Sequence, residues 1–160
     1  MAAALLALLL ASVSLGTGLV IKPIGGDQGC EKGWTPFDSR CYKFFNRKSS
    51  WMDAERSCLR VRANLVSVHS LEENTFIGDL IFKATGSDTG TWLGGTDAVV
   101  NNRWMWSDGT PWDFEQWFTD EPNNRDGREE ALMINMEEET LLCPVFMNLD
   151  DTTYHCTPDM

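Results

Sequence analysis

The sequence has few histidines and little positive charge. It carries 2 histidines, and its 13 lysines and arginines stand against 24 acidic residues, which gives a net charge of −11. Nucleic acids and anionic membranes attract basic surfaces, so neither is predicted as a partner. The Gly-x-Ser-x-Gly motif is absent, as is any Cys-His arrangement that would activate a nucleophile. His69 directly precedes a predicted helix cap, where a structural role is expected. We therefore predict that the chain is not an enzyme.

Long apolar runs are also missing after the first residues. Residues 1–18 carry no charge, have an apolar stretch at 2–10 and end in small residues, which is typical of a secretory signal peptide cleaved near Gly16 to Gly18. The apolar stretch is too short for a membrane span, and no later segment approaches the ~20 residues that one requires. We expect a secreted protein with a signal peptide at 1–18, a short segment at 19–29 and one domain over 30–160.

The cysteines lack metal-site spacing. They are Cys30, Cys41, Cys58, Cys143 and Cys156, with no CxxC pair. Disulfides in an oxidising compartment are therefore expected. Because five is an odd number, at least one thiol is free, pairs between chains or has lost its partner. Cys30 and Cys41 flank a predicted hairpin of two strands around a turn, which a local bridge would staple.

Two helices are predicted early in the chain. Ser50 is a helix cap with an acidic residue three positions later, and this helix runs to about Val61. Ser70 repeats the capping pattern, and Gly86 is predicted to end the second helix. The apolar residues of that helix recur at helical spacing at Phe76, Ile77, Leu80 and Ile81.

A long loop is predicted after the second helix. Gly, Asn, Asp and Pro are so dense over 94–124 that a looping excursion is more plausible than regular strands. Loops longer than about 15 residues in a compact domain are usually functional. Five of the seven tryptophans, namely Trp92, Trp104, Trp106, Trp112 and Trp117, lie between positions 92 and 117, and we assign most of them to the core. Further on, Pro144 argues against a central strand at that position.

The end of this loop is rich in hard oxygen ligands. Glu121-Pro122-Asn123-Asn124 is followed closely by Glu129 and Glu130. If the peptide bond before Pro122 is cis, the Glu121 and Asn123 side chains can point the same way. Calcium takes about six to eight oxygens from carboxylates, amides and water. The pattern indicates a calcium site open to a ligand, and the alternative is an acidic loop with a turn proline.

These segments together resemble the C-type lectin domain from Cys30 to about Glu130. The resemblance is carried by Cys30-Glu31-Lys32-Gly33-Trp34, Cys41-Tyr42, Trp51 to Cys58, Ala63 to Glu73, Trp92-Leu93-Gly94-Gly95-Thr96-Asp97, Trp104 to Pro111, Trp117 and Glu121-Pro122-Asn123. It implies an α+β, C-type lectin-like fold with two helices, small antiparallel sheets, a long loop region and disulfides. It also implies a Cys58–Cys156 bond, with Cys143 left over. Short secreted chains of this kind resemble mannose-type single-domain lectins of fish, with a role in innate recognition of glycans.

The resemblance also implies a set of ligand-binding residues. The calcium ligands would be Glu121, Asn123, Glu129, Asp150 and Asp151, and a sugar would contact Glu121, Asn123, Glu129 and Asp150. A weaker auxiliary calcium site would use Asp97, Asn101, Asn124 and Glu130, together with Glu129. Two vicinal sugar hydroxyls would coordinate the cation, donate to carboxylates and accept from amides. Glu before Pro and Asn after it is the order associated with mannose, fucose or N-acetylglucosamine ends.

Residues 131–160 diverge from the family pattern. Ala131 stands where a cysteine is usual, and Asn148-Leu149-Asp150-Asp151 is the nearest substitute for Trp-Asn-Asp. Either the inner disulfide has been lost, leaving Cys143 unpaired, or this end is an altered form of a longer domain. The alternative function is therefore a domain of the same fold that binds protein or ice through its loop surface. Clustering of sites in a homo-oligomer would raise avidity, and Cys143 could link two chains.

Overall fold

The computed structural model of the chain describes residues 29–135, 142–146 and 152–158. Within these ranges the chain forms two helices and eight strands, in the α+β arrangement expected. In chain order they are β1 (Thr35–Phe37), β2 (Arg40–Ser49), α1 (Trp51–Arg60), β3 (Ala63–Leu65), α2 (Leu71–Thr85), β4 (Thr91–Thr96), β5 (Met105–Trp106), β6 (Glu129–Ile134), β7 (Leu142–Phe146) and β8 (Thr152–Pro158). Neither described helix is long and apolar enough to cross a membrane. The predicted signal peptide at 1–18 lies outside the described residues.

The predicted hairpin is present at the start of the domain. Strands β1 and β2 pair antiparallel, with Phe37 opposite Arg40 at the turn. The Cys30–Cys41 disulfide closes this hairpin across a sequence separation of 11. Strand β2 continues to Ser49, well beyond its pairing with β1. The extension allows β2 to leave the small hairpin and join the main sheet.

Both predicted helices begin and end where their capping residues stand. The Ser50 side chain accepts a hydrogen bond from the backbone N–H of Asp53, and Ser70 does the same for Glu73, which satisfies amide groups at each helix start. Helix α2 ends at Gly86, whose φ of 78° lies in the left-handed region that glycine adopts without a Cβ clash. Local sequence therefore determined both helices.

The last described strand lies in the middle of the sheet. The strand order is β1-β2-β8-β4-β6-β7, with β3 also paired to β8 and β5 paired to β4. Strand β8 is antiparallel to β2 and parallel to β4, so the sheet is mixed, whereas the resemblance implied small antiparallel sheets. The parallel pair arises because β8 enters the sheet between β2 and β4 and runs in the same direction as β4. The Cys58–Cys156 disulfide fixes β8 to α1, as the resemblance implied.

Neighbouring residues of the central strands face opposite layers of the core. Trp92 in β4 packs with the buried residues of α1, while Leu93 packs with those of α2. Met133 and Leu132 in β6 divide in the same way, because successive strand side chains point to opposite faces. Helices α1 and α2 therefore cover the two faces of the central sheet. The expected assignment of most tryptophans to the core is confirmed, since each is buried or packs against one of these clusters.

The long loop between β4 and β6 is largely irregular, as predicted. It is interrupted by β5 and by a single 3₁₀ turn at Arg125–Gly127. The predicted excursion began at Gly94, but Gly94 belongs to β4, where a Cβ would lie 2.7 Å from the carbonyl oxygen of Leu65. Because Gly94 has no side chain, β4 can pack closely against β3, and the loop begins directly after this tightly packed strand.

Pro144 lies in β7. This strand is at the end of the described strand order, which agrees with the expectation that proline avoids central strands.

Candidate functional site

Glu121 and Asn123 lie side by side at the end of the long loop. The peptide bond between Glu121 and Pro122 is cis. The side-chain amide nitrogen of Asn123 donates to Oε1 of Glu121 at 2.8 Å, and the Asn123 backbone N–H donates to Oε2 at 3.0 Å. The carboxylate and the amide therefore share one side of the loop. This is the common orientation that the sequence pattern led us to expect.

Glu129 lies within electrostatic reach of Glu121. Burial raises the pKa of the Glu121 carboxyl above its ordinary value, and the negative charge of Glu129 raises it further, against the hydrogen bond from the Asn123 backbone. The Glu129 carboxylate itself accepts the backbone N–H of Arg125 at 2.8 Å. Two acids that repel each other beside an amide form an environment that a divalent cation would stabilise.

The predicted auxiliary residues are connected to this group by hydrogen bonds. Asn124 donates from its amide to Oδ1 of Asn101 at 2.6 Å and accepts the backbone N–H of Glu129 at 3.2 Å. The backbone N–H of Asp97 donates to the carbonyl of Glu130 at 3.2 Å. The fold thus brings together two segments of the long loop and the start of β6.

Asp97 provides the test of whether these residues fit a calcium ion. It is only 3% exposed, and its Oδ2 accepts the backbone N–H of Asn102 at 2.7 Å. Its other oxygen, Oδ1, is buried and has no hydrogen-bond donor among the described residues. A buried carboxylate oxygen without a partner is costly, and a hard cation would satisfy it. The surrounding oxygens come from carboxylates and side-chain amides, which are the ligands calcium prefers.

The described residues supply only part of a complete coordination shell. Asp150 and Asp151, which the resemblance adds to the calcium site, lie outside the described residues. Within residues 29–135, 142–146 and 152–158, His, Cys, Asp and Glu side chains form no group of three that could hold a metal. The expected set also depends on the oxygens of Asn101, Asn123 and Asn124. Cys143, which the resemblance leaves without an intramolecular partner, belongs to β7, and the structure does not describe its side chain.

A second polar cluster has distances like those of a catalytic triad. His69 Nδ1 lies 2.6 Å from Oδ1 of Asp113, and Nε2 lies 3.0 Å from Oγ of Ser67. Ser67 is fully buried, however, and its hydroxyl donates to Asp108 at 2.6 Å while accepting from Arg40 at 2.8 Å. Its single proton is committed to a carboxylate, and no substrate could reach its oxygen. The cluster is therefore structural, as expected for His69.

Two residues that support the site, Asp108 and Asp113, were not predicted from the sequence. Both belong to the long loop. Asp108 contacts Ser67 and Asp113 contacts His69, and these two contacts hold the loop next to the start of α2. Asp108 also accepts the backbone N–H of Thr110 at 2.9 Å, an Asx-turn contact typical of Asp-Gly-Thr sequences. That turn could have been predicted from the sequence, whereas the contact with Ser67 across 41 positions could not.

The fold and the oxygen-rich loop define a lectin-type domain. The family model described as "Lectin C-type domain" matches residues 47–143, and the chain belongs to this family. The family comprises lectins and antifreeze proteins rather than enzymes, so the chain is not an enzyme.

Two curated relatives are fish lectins. Ladderlectin of Oncorhynchus mykiss is 44% identical over 110 residues, which cover 69% of this chain and 58% of ladderlectin. The galactose-specific lectin nattectin of Thalassophryne nattereri is 38% identical over 108 residues, which cover 68% of each chain. The match with ladderlectin thus spans less than two thirds of that protein.

A solved relative has a different named activity. The herring type II antifreeze protein superposes with a TM-score of 0.74 at 32% identity, covering 82% of this chain and 99% of that one. The fold expected from the sequence is therefore confirmed. The relatives include both sugar-binding and ice-binding proteins, so membership in the family leaves the ligand to be decided by the site.

Proposed function

We propose that the chain is a calcium-dependent lectin that binds mannose-type sugar ends, namely mannose, fucose or N-acetylglucosamine. The observation that carries the proposal is the contact between Glu121 and Asn123, with the Glu129 charge close to them. This contact presents an acid and an amide on one side of the loop. A sugar diol requires both, because each hydroxyl donates one proton and accepts one.

Each residue has a distinct role in this proposal. Glu121, Asn123 and Glu129 would hold the calcium ion with Asp150 and Asp151, and calcium would supply coordination for two vicinal hydroxyls. The carboxylates of Glu121 and Glu129 accept the hydroxyl protons, as Asp150 would. The amide of Asn123 donates to a sugar oxygen. The auxiliary ion would lie among Asp97, Asn101, Asn124 and Glu130 and would hold the loop in place.

The order of acid and amide supports mannose-type rather than galactose-type ligands. Glu121 precedes Pro122 and Asn123 follows it, which is the order that the family resemblance associates with equatorial diols. Nattectin is named as galactose-specific, so relatives with a different preference exist within the family. Selectivity therefore has to be measured on this chain.

The proposed setting is extracellular. Two disulfides fit an oxidising compartment, and secretion through the predicted signal peptide would place the domain there. A single shallow sugar site binds weakly, so we propose that the protein acts as a homo-oligomer on clustered glycans. Recognition of glycans in innate immunity is the corresponding biological role.

Retention on a mannose resin tests the proposal. The purified protein should bind the resin in millimolar calcium and elute with EDTA or free mannose. Glu121→Ala should abolish retention, while Glu115→Ala, another acid of the same loop that contacts Trp112, should leave it unchanged. Equal retention with and without calcium would contradict the proposal.

The second candidate is ice or protein binding through the loop surface. It is favoured by the likeness to the herring antifreeze protein and by the exposed apolar pair Val99-Val100 on the long loop. Thermal hysteresis of a concentrated solution separates this candidate from the lectin. A measurable freezing-point gap, together with no retention on any sugar resin, would support it.

A further inference from the structure

A basic pocket lies between the end of β2 and one face of α1. Its volume is about 400 Å³, and its walls include Arg47, Lys48, Asp53, Ser57, Arg60 and Tyr154. We propose that this pocket binds a sulfate or phosphate ester group of an anionic polysaccharide. The pocket shares no residue with the calcium site, and the inference goes beyond the proposed function because it needs neither calcium nor a vicinal diol.

The charge distribution around the pocket is opposite to that of the whole chain. Residues 40–62 carry seven of the 13 lysines and arginines but only two of the 24 acids, although the chain as a whole has a net charge of −11. The pocket therefore lies in a locally positive region of an acidic protein. A concave surface in which positive charge predominates raises the local concentration of anionic ligands.

Two guanidinium groups of the pocket are available to a ligand. Within the described part of the chain, Arg47 and Arg60 make neither a salt bridge nor a side-chain hydrogen bond. The acidic group on the wall is Asp53. Its Oδ1 lies 3.5 Å from the guanidinium of Arg56, whose positive charge offsets part of the negative charge of Asp53. The planar guanidinium of arginine donates paired N–H bonds to two oxygens of a sulfate or phosphate group.

The helix face supplies a regular wall for such a group. Asp53, Ser57 and Arg60 are spaced four and three residues apart, so they share one face of α1. Ser57 donates to the backbone carbonyl of Asp53 at 2.7 Å, which fixes its hydroxyl oxygen at the wall. Tyr154 is stacked on Phe45 with ring centroids 5.1 Å apart, and it gives the pocket a rigid side.

The concave shape favours a polysaccharide over a lipid bilayer. A bilayer presents its phosphates on a broad surface and is best met by exposed basic and apolar side chains on a flat or convex face. Here the basic groups surround a recess in which a single ester group and part of a sugar ring would be enclosed. We therefore assign the pocket to a soluble polyanion.

The test is calorimetric titration of the full chain with a heparin-derived oligosaccharide in EDTA. The wild type should bind, and binding should weaken as salt is raised. The double variant Arg47→Gln/Arg60→Gln should lose affinity by about tenfold or more, because two charge-assisted contacts are removed. The control Arg62→Gln/Arg103→Gln removes the same charge from residues outside the pocket and should stay within about twofold of the wild type.

Two further variants test the pocket independently of the arginine substitutions. Asp53→Asn removes an acid from the wall and should tighten binding, which keeps the inference testable if the arginine variant fails to fold. Glu121→Ala should leave heparin binding unchanged, so failure of the lectin proposal is distinguishable. Equal losses in both double variants, or no binding by the wild type, would overturn the inference. So would binding to phosphatidylserine-containing vesicles without binding to the oligosaccharide.

Discussion

The side-chain amide of Asn123 donates to the carboxylate of Glu121 at 2.8 Å across a single proline. An acid and an amide of different length thus occupy two fixed positions on one side of the long loop. The two groups can be exchanged by substitutions that barely change side-chain volume. Substitutions at Glu121 and Asn123 therefore test directly whether these two side chains determine which sugar is bound.

We predict that Glu121→Gln combined with Asn123→Asp shifts preference from mannose toward galactose. The exchange moves the proton acceptor to the other side of Pro122 and so reverses which hydroxyl donates and which accepts. Binding to an array of terminal sugars measures the effect. Asn102→Asp, a change of the same type elsewhere in the loop, serves as the control. An unchanged sugar profile would count against the proposed roles of Glu121 and Asn123.

We predict that calcium stabilises the fold. The pKa of Glu121 is raised by burial and by the charge of Glu129, so its ionised form is disfavoured in the folded, metal-free protein. At neutral pH, Glu121→Gln should therefore raise the melting temperature in EDTA and reduce the gain on adding calcium. A ligand at 100 times its dissociation constant adds about 2.7 kcal/mol. Calorimetry with and without millimolar calcium checks this, and no shift in the wild type would contradict it.

We predict that His155 makes the protein sensitive to acid. The ring is fully buried, with no hydrogen-bond partner for either nitrogen among the described residues, and burial lowers its pKa to about 3. The unfolded chain binds a proton below about pH 6.5 while the folded chain does not, so stability is lost as pH falls from there toward 3. The loss is at most about 4 to 5 kcal/mol.

The substitution His155→Phe should remove this sensitivity. Phenylalanine keeps the ring contact with Phe44, whose centroid lies 5.0 Å away, and adds no group that titrates. Urea unfolding at several pH values should give a flatter profile between about pH 6 and 4 for the variant. His69→Gln, which alters the other histidine, should keep the slope that His155 causes. Parallel profiles for His155→Phe and the wild type would show that the ring does not govern acid stability.

We predict that the two disulfides differ in their contribution to stability. The Cys58–Cys156 bond spans 98 positions and the Cys30–Cys41 bond spans 11. In the chain-entropy model the long loop is worth about 4 to 5 kcal/mol and the short one about 3 kcal/mol. Paired alanine substitutions and urea unfolding compare them. Loss of the Cys58 bond should unfold the domain at body temperature, and an equal or larger effect at Cys30 would be the opposite result.

We also predict that Cys143 is not part of either intramolecular bond. Cys143→Ser should leave a folded monomer, because both observed disulfides remain. Peptide mapping of non-reduced protein, with size-exclusion chromatography, measures this. If Cys143 links two chains, the substitution will convert a covalent dimer into monomers without lowering the melting temperature. Unfolding of the variant would show that the thiol has another role.

Features set by neighbouring residues could be predicted from the sequence. The caps at Ser50 and Ser70 determine where both helices begin, and the cysteines that flank the first hairpin identify its bond. The Glu121–Asn123 contact could be anticipated because a single proline separates the two residues. Each of these features involves residues that lie no more than 11 positions apart in the chain.

Features that join distant segments could not be predicted in this way. The contact between Asn101 and Asn124 and the burial of Asp97 depend on how the long loop folds back onto β6. The parallel pairing of β4 with β8 depends on a strand that arrives 55 residues later or more. Local patterns carry no information about such closures, because the free energy of a non-local contact is determined by the whole chain.

The central place of β8 has a consequence for biosynthesis. Strand β8 lies between β2 and β4, yet it leaves the ribosome after both of them. Until β8 emerges, β2 and β4 each have an edge with unpaired backbone N–H and C=O groups where β8 will lie. Such edges are templates for association with other chains. The sheet therefore cannot close until β8 has emerged, whatever the other strands have already formed. A chain that stops before Thr152 would retain both open edges and depend on chaperones to stay dispersed.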